Sequence, residues 1–328
     1  MPKKETDCLL VQLTLMKKVL ITDGIHPLLK KGLEKQGFKC DYLPKISLEE
    51  VRERVADYTG LIINSKILVD EKLLDAAPKL KFVGRLGSGM EIVDKVYAAK
   101  KGVHVLSSPE GNRNAVAEHA LGMLLAMANN FIRADREVRQ KNWQREKNRG
   151  FEIMGRTVGI IGFGHTGRSF AQKLSGMGVK ILAYDKYKKG FGKEFPHVIE
   201  TGMGSIFMEA DIVSFHLPLT EETTQLVDTN YINKFKKEVV LINTSRGAVI
   251  KTTDLIKALQ NKKVVGACLD VFENEKTATF TKKEHELYQK LYEMDQVILS
   301  PHVAGWTEES KKRLASVLLE KIIAALSH

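Results

Sequence analysis

Residues 157–168, TVGIIGFGHTGR, constrain this chain more than any other stretch. An apolar run of strand character meets three glycines, Gly162, Gly164 and Gly167, at the spacing G-x-G-x-x-G. Residues 169–176 continue with a helical pattern, and residues 180–185 read as a second strand. In that context each glycine has a physical reason. Gly162 makes a tight turn, Gly164 lets the backbone approach a pyrophosphate, and Gly167 lets helix and strand pack closely. The helix that follows presents its first N–H groups and the positive end of its dipole to the phosphates. Asp185 ends the second strand, where a carboxylate accepts hydrogen bonds from both ribose hydroxyls and repels a 2′-phosphate. The expected cofactor is therefore NAD and not NADP.

The chain around this motif has 328 residues, which suggests two domains, and 43% of them are apolar, enough for sizeable cores. No apolar run approaches the roughly 18 residues of a membrane span. The net charge is +11, but the lysines are interleaved with acids and form no arm or basic-aromatic stripe. This argues against nucleic acid and suits a small anionic substrate. Cys8, Cys40 and Cys268 are scattered and odd in number. They fit a reduced, cytoplasmic setting and neither a disulfide frame nor a metal site. Residues 1–15 carry Lys3 and Lys4 and a short apolar run from Leu9, with no small-residue cleavage site. They are expected to be an extension outside the fold and make a poor secretory signal.

Before the glycine motif, strand patterns at 17–22, 38–42, 61–64, 81–85 and 103–106 alternate with helical ones at 26–36, 48–57, 71–77 and 92–101. Alternation of this kind gives a parallel sheet with helices on both faces. Residues 107–112 read as a break, followed by one long helix from 115 to about 143 that crosses into a second domain. After Asp185, residues 186–204 read as loop-rich. Strands are expected at 212–218, 239–243, 264–269 and 297–299, helices at 206–210, 231–235, 253–261 and 285–292, and a long amphipathic helix at 308–326. The expected class is α/β: a doubly wound (Rossmann) nucleotide domain at 110–305 plus a flavodoxin-like substrate domain at 16–109 and 306–328.

Ligands of such sheets sit beyond the carboxyl ends of the strands. In the first half, Asn64, Arg85 and the loop Gly87, Ser88, Gly89 lie at strand ends. In the second half, Arg246 follows one strand, Asp270 and Glu275 the next, and His302 the last. Singly, each has an ordinary explanation as a loop residue or ion-pair partner. Together they suit hydride transfer. Histidine is the natural acceptor of a hydroxyl proton, a neighbouring carboxylate orients the ring, and arginine grips a carboxylate with two parallel hydrogen bonds.

Several stretches are similar to the D-isomer-specific 2-hydroxyacid dehydrogenase family, most closely its phosphoglycerate dehydrogenase branch. They are VGRLGSG at 83–89, NAVAEH at 114–119, GRTVGIIG at 155–162, HLPLT at 216–220, NTSRG at 243–247, LDVF at 269–272 and SPHVAG at 300–305. The resemblance runs from residue 17 to nearly the end. It implies that Arg246 holds the substrate carboxylate, His302 moves the proton, Glu275 (with Glu273 as the other candidate) supports His302, and Asp270 meets the nicotinamide amide. It further implies cofactor contacts from Ser88, His165, Thr166, His216, Leu217, Pro218, Thr244, Ser245 and Gly305, and substrate contacts from Asn64, Arg85 and the backbone N–H groups of Gly87–Gly89. A discontinuous first domain closed by the final helix, a hinged cleft, a homodimer and a place in serine biosynthesis belong to the same implication. This chain stops after the catalytic region, and no appended serine-sensing domain is expected. Some residues depart from the family pattern. His165 and Thr166 stand where Arg and Ile are usual, Met90-Glu91-Ile92 replaces a small residue, Asp and Asn, Lys276 follows Glu275 in place of proline, and Asn64 stands where phosphoglycerate enzymes often carry arginine. Glyoxylate, hydroxypyruvate or D-lactate enzymes, and NAD(H)-sensing corepressors that share the fold and triad, are the alternatives.

Overall fold

A computed structural model describes residues 17–327. The expected N-terminal extension at 1–15, with Cys8, lies outside the described residues. The chain divides into two compact units, one up to Asn112 together with the residues from Thr307 onward, the other Arg113–Trp306.

In the first unit, β1 (Lys18–Ile21), β2 (Lys39–Tyr42), β3 (Gly60–Ile63), β4 (Phe82–Arg85) and β5 (His104–Ser107) pair in the order β2-β1-β3-β4-β5. Every pair is parallel, and the order is that of flavodoxin-like sheets. Leu61, Ile62 and Ile63 are fully buried, as a central parallel strand covered on both faces requires. The cover comes from α1 (Pro27–Lys35), α2 (Leu48–Arg54), α3 (Glu71–Asp75), α4 (Lys95–Lys100) and the C-terminal helix Glu308–Leu326. That last helix buries Ala315, Leu318 and Ile322 against Val19, Ile21, Leu29, Ile62 and Phe82. Its approach depends on small residues. A side chain on Gly32 would collide with Leu319, and one on Gly84 with Ile62.

The second unit begins inside α5 (Pro109–Ala128), which is followed by α6 (Phe131–Arg139). The sequence suggested a break at 107–112 and one helix from 115 to about 143. Instead, α5 starts at Pro109, with proline at the first helical position where its missing N–H is harmless. The helical run then bends by 61° between α5 and α6. Asn130 adopts the left-handed conformation there (φ 52°, ψ 31°), and the Ala128 carbonyl accepts the Phe151 N–H at 2.9 Å. Asparagine tolerates this conformation better than most side chains.

The sheet of this unit has seven parallel strands in the order β12-β11-β10-β9-β6-β7-β8. In chain order they are β6 (Thr157–Ile161), β7 (Lys180–Tyr184), β8 (Val198–Glu200), β9 (Ile212–Phe215), β10 (Val239–Asn243), β11 (Val264–Leu269) and β12 (Val297–Leu299). The helices are α7 (His165–Leu174), α8 (Met203–Glu209), α9 (Thr229–Asn233), α10 (Thr252–Gln260) and α11 (Lys282–Tyr292). This is the doubly wound order, with its switch point between β6 and β9. β8 lies within the stretch read as loop. It has three residues on the sheet edge with only Val198 buried, too little apolar periodicity to read as a strand.

Leu318→Ala is expected to cost the first unit about 2–5 kcal/mol, because the side chain is fully buried among apolar neighbours. Urea unfolding monitored by circular dichroism measures it. A loss under 1 kcal/mol would mean that the C-terminal helix contributes little to this core.

Candidate active site

The glycine turn stands at the switch point. Gly162 has φ +90°, and a side chain there would run into the His216 carbonyl oxygen. Gly167 is held so close to the Gly162 carbonyl that a Cβ would not fit, which brings the first turn of α7 onto the end of β6. Gly164, by contrast, meets no backbone: only the end of the Lys188 side chain comes within 4 Å of its Cβ position, as suits a surface approached by phosphates. His165 and Thr166 follow it in the first turn of α7, His165 exposed. His216 donates its N–H to the Ile161 carbonyl at 2.8 Å, and its ring pairs with Ser214 at 3.0 Å. Burial pushes the His216 ring down to about 3, so it is neutral at physiological pH. Leu217 packs 3.1 Å from the side-chain direction of Gly162, and the Pro218 carbonyl accepts the Thr223 hydroxyl at 2.7 Å.

Asp185, one residue past β7, ties this turn to the next loop. One oxygen accepts the Phe163 N–H at 2.8 Å, and the other accepts those of Tyr187 and Lys188, each at 2.9 Å. At the end of β10, the Asn243 side chain accepts from the Ser245 N–H and hydroxyl and donates to the Arg246 carbonyl at 2.9 Å. The buried Thr244 hydroxyl has no hydrogen-bond partner among the described residues.

Arg246 is placed by its neighbour. Gly247 lies against the Phe272 backbone with no room for a Cβ, so the loop after β10 touches the loop after β11 directly. The Arg246 guanidinium donates to the Ser245 carbonyl at 2.6 Å.

Asp270, immediately after β11, is 1% exposed. One of its oxygens accepts the Ser300 hydroxyl at 2.6 Å and the Val303 N–H at 2.9 Å, and the other accepts the Ala304 N–H at 2.9 Å. Its backbone carbonyl accepts the His302 N–H at 2.8 Å. The carboxylate thus gathers the loop from Ser300 to Gly305. His302 sits in that loop with φ +55°, a strained conformation for a non-glycine residue. Its Nδ1 lies 2.8 Å from a Glu275 oxygen. Burial alone would raise the Glu275 carboxyl, but the His302 hydrogen bond and charge, the Phe272 N–H and Arg246 outweigh it and hold it below the usual carboxylate range. An ionised carboxylate only accepts hydrogen bonds, so Nδ1 carries a proton and Nε2 is the ring nitrogen left to exchange one. Glu273 is committed elsewhere: it accepts the Thr252 N–H at 2.7 Å and pairs with Gln225.

The spacing argument gave no role to His119 or Ser300. His119 on α5 places Nε2 2.8 Å from the Ser300 hydroxyl and 3.6 Å from Asp270. The sequence traces of this contact are the NAVAEH stretch, which ends at His119, and the SPHVAG stretch, which begins at Ser300.

In the first unit, Arg85 donates from Nε to the Asn64 backbone carbonyl at 3.0 Å, and its Nη1 lies 2.9 Å from where a Gly87 Cβ would stand. The Asn64 N–H is held by Asp23 at 3.0 Å. The Gly87 N–H bonds within its own loop to the Arg85 carbonyl at 3.1 Å. That N–H, expected to meet substrate, is therefore already used. Those of Ser88 and Gly89 make no hydrogen bond among the described residues, and the Ser88 hydroxyl pairs with Asn112 at 3.0 Å. Lys66 turns to the Pro44 carbonyl at 2.8 Å.

The family model described as D-isomer specific 2-hydroxyacid dehydrogenase, NAD binding domain, matches residues 121–304. The chain belongs to this family. It is a family of NAD-dependent oxidoreductases, and the second unit is its NAD-binding domain. The D-3-phosphoglycerate dehydrogenase of Synechocystis is 33% identical over 309 residues, covering 94% of this chain and 54% of the relative. The chain thus spans about half the length of the phosphoglycerate dehydrogenases it matches. The glyoxylate reductase of Thermofilum pendens is 35% identical, with 85% of this chain and 82% of the relative covered. The solved structure of Aquifex aeolicus D-lactate dehydrogenase with NAD and lactic acid superposes with a TM-score of 0.80 at 27% identity, covering 95% and 97% of the two chains.

The residues present fit the dinucleotide. An open glycine turn, a buried hydroxyl without a partner on Thr244 and a carboxylate after β7 stand at one sheet edge. Asp185→Ala is expected to raise the ratio of kcat/KM with NADPH to that with NADH by at least about tenfold, roughly 1.4 kcal/mol, since the charge opposing a 2′-phosphate is gone. Equal use of both cofactors by the wild type would contradict this role.

Proposed function

We propose that this chain oxidises the hydroxyl of a small D-2-hydroxy acid and reduces the corresponding 2-oxo acid, with D-3-phosphoglycerate as its substrate and a place in serine biosynthesis. The observation that carries the reading is the 2.8 Å contact between His302 and Glu275 beside Arg246. When bound, NAD supplies the hydride acceptor. In this reading His302 Nε2 takes the hydroxyl proton during oxidation and returns it to the carbonyl oxygen during reduction. Glu275 keeps the ring in the tautomer with Nδ1–H and balances the imidazolium that forms. Arg246 grips the substrate carboxylate through guanidinium N–H groups and polarises the carbonyl. Asp270 holds the His302 loop and meets the nicotinamide amide.

The phosphoglycerate reading is supported by the Synechocystis relative, by Arg85 at the end of β4, and by the net charge of +11, which suits a doubly charged anion. A second reading, reduction of glyoxylate or hydroxypyruvate, is favoured by Asn64 and Lys66. Asn64 brings no charge, and the Lys66 ammonium is bound to the Pro44 carbonyl. We further infer a cytoplasmic homodimer. The exposed Phe131, Ile132, Val138 and Trp143 support assembly through the second unit.

His302→Ala is expected to lower kcat by roughly 10²–10⁴ with NADH binding retained, the usual worth of general acid–base help. Glu275→Gln keeps the shape and removes the charge. Its inflection in kcat/KM against pH moves to lower pH, because imidazolium loses its negative neighbour. A pH profile unmoved by that change would reject the pairing.

The substrate is tested by kcat/KM for 3-phosphohydroxypyruvate, hydroxypyruvate and glyoxylate with NADH. One cation on the phosphate gives at least about tenfold preference, roughly 1.4 kcal/mol, and Arg85→Ala erases it. Better turnover of glyoxylate or hydroxypyruvate selects the second reading. Absence of turnover on every 2-oxo acid selects an NAD(H)-sensing role.

A further inference from the structure

The loop after β7 begins with Lys186, Lys188 and Lys189, and two of these three have partners. Lys186 pairs with Glu222 at 2.6 Å, together with the Tyr187 hydroxyl at 2.9 Å. Lys189 donates to the Asp185 carbonyl at 3.1 Å and lies over the Tyr184 ring. The Lys188 ammonium makes no hydrogen bond or ion pair among the described residues. It lies over the glycine turn instead, 3.9 Å from where a Cβ on Gly164 would stand, with no other atom within 4 Å of that point.

The loop holds this position from both ends. At its start, Asp185 binds the Lys188 N–H and the Phe163 N–H of the glycine turn. Farther along, Phe191 stacks on Phe163 with ring centres 4.3 Å apart, and Phe195 meets the same ring edge-on at 5.3 Å. Glu200 accepts the N–H groups of Gly190 and Gly192. The nearby carboxylates are committed: Glu222 to Lys186, Glu194 to Arg168, Asp185 to three backbone N–H groups. The Lys188 cation and the N-terminus of α7 therefore flank Gly164, and Lys188 Nζ is the one heavy atom outside the turn's own residues within 4 Å of its Cβ position, which is an arrangement suited to an anion.

We propose that Lys188 is the side-chain cation that holds the pyrophosphate of the dinucleotide, beside the N–H groups at the start of α7. The proposal rests on the second unit being an NAD-binding domain and adds a residue that the glycine motif does not contain. Lysine acts here as a point charge on a flexible stem, so it reaches a phosphate without the fixed fork that arginine demands.

The test measures binding by NADH fluorescence titration and by calorimetry with ADP and adenosine, for the wild type and for Lys188→Ala, Lys188→Arg and Lys193→Ala. Lys188→Ala is expected to raise the Kd for NADH and for ADP about tenfold, the worth of one charge-assisted hydrogen bond. It leaves adenosine binding unchanged and weakens the salt dependence of NADH binding. Lys188→Arg retains most of the affinity, and Lys193→Ala, which removes an exposed charge from the same loop, stays within twofold of wild type. NADH affinity within twofold of wild type in Lys188→Ala overturns the proposal. Weakened NADPH binding with NADH and ADP unchanged also overturns it, because that result would place Lys188 at the ribose phosphate. Failure of the wild type to bind NADH is a separate outcome, which removes the cofactor assignment itself and the proposal with it.

Discussion

Burial of one carboxylate organises the chemistry of this protein. Asp270 is almost wholly withdrawn from water, and a buried carboxylate is tolerated only where donors replace its hydration. The donors are the Ser300 hydroxyl and the N–H groups of Val303 and Ala304, all on the segment that follows β12. Satisfying Asp270 therefore fixes the path of that segment. Between those donors, His302 is forced into a left-handed conformation that costs on the order of 1–2 kcal/mol. The strain persists because bonds on both sides over-determine it. The same residue that draws the loop in thus aims the histidine.

The parallel sheet supplies the rest of the site. All strands of the second unit run the same way, so the loops after β6, β10, β11 and β12 emerge on one edge. The absence of a side chain at Gly247 brings the loops after β10 and β11 into backbone contact. Arg246 is then near enough to Glu275 to help keep that carboxylate ionised. His119, from a helix distant in sequence, braces the Ser300 hydroxyl from behind. Three strand-end loops and one helix together position His302, Glu275 and Arg246 at this edge.

The nucleotide side follows a related logic on the neighbouring strands. Asp185 accepts N–H groups from both the glycine turn and the loop after β7, and so ties the two together. Aromatic contacts of Phe191 and Phe195 with Phe163 strengthen that link. The turn is close-packed against backbone at Gly162 and Gly167 and free of backbone contact at Gly164.

Much of this was legible in the sequence. Central parallel strands are buried on both faces, so they appear as unbroken apolar runs, and each run announced a strand end where Arg246, Asp270 and His302 now stand. Gly162 and Gly167 were equally legible, because a backbone clash excludes every other side chain there and leaves no alternative residue. Tertiary contacts decided what those rules do not reach. The bend at Asn130 depends on Phe151 taking the Ala128 carbonyl, and β8 exists because β7 offers it a ladder although its own pattern is weak. Glu275 reaches His302 while Glu273, two residues earlier, caps α10, a choice made by the path of the loop. Asp270 was visible as a polar residue at a strand end, but its work on the His302 loop was not. A hydrogen bond joins groups far apart in the chain, and only the folded backbone brings its donor to its acceptor.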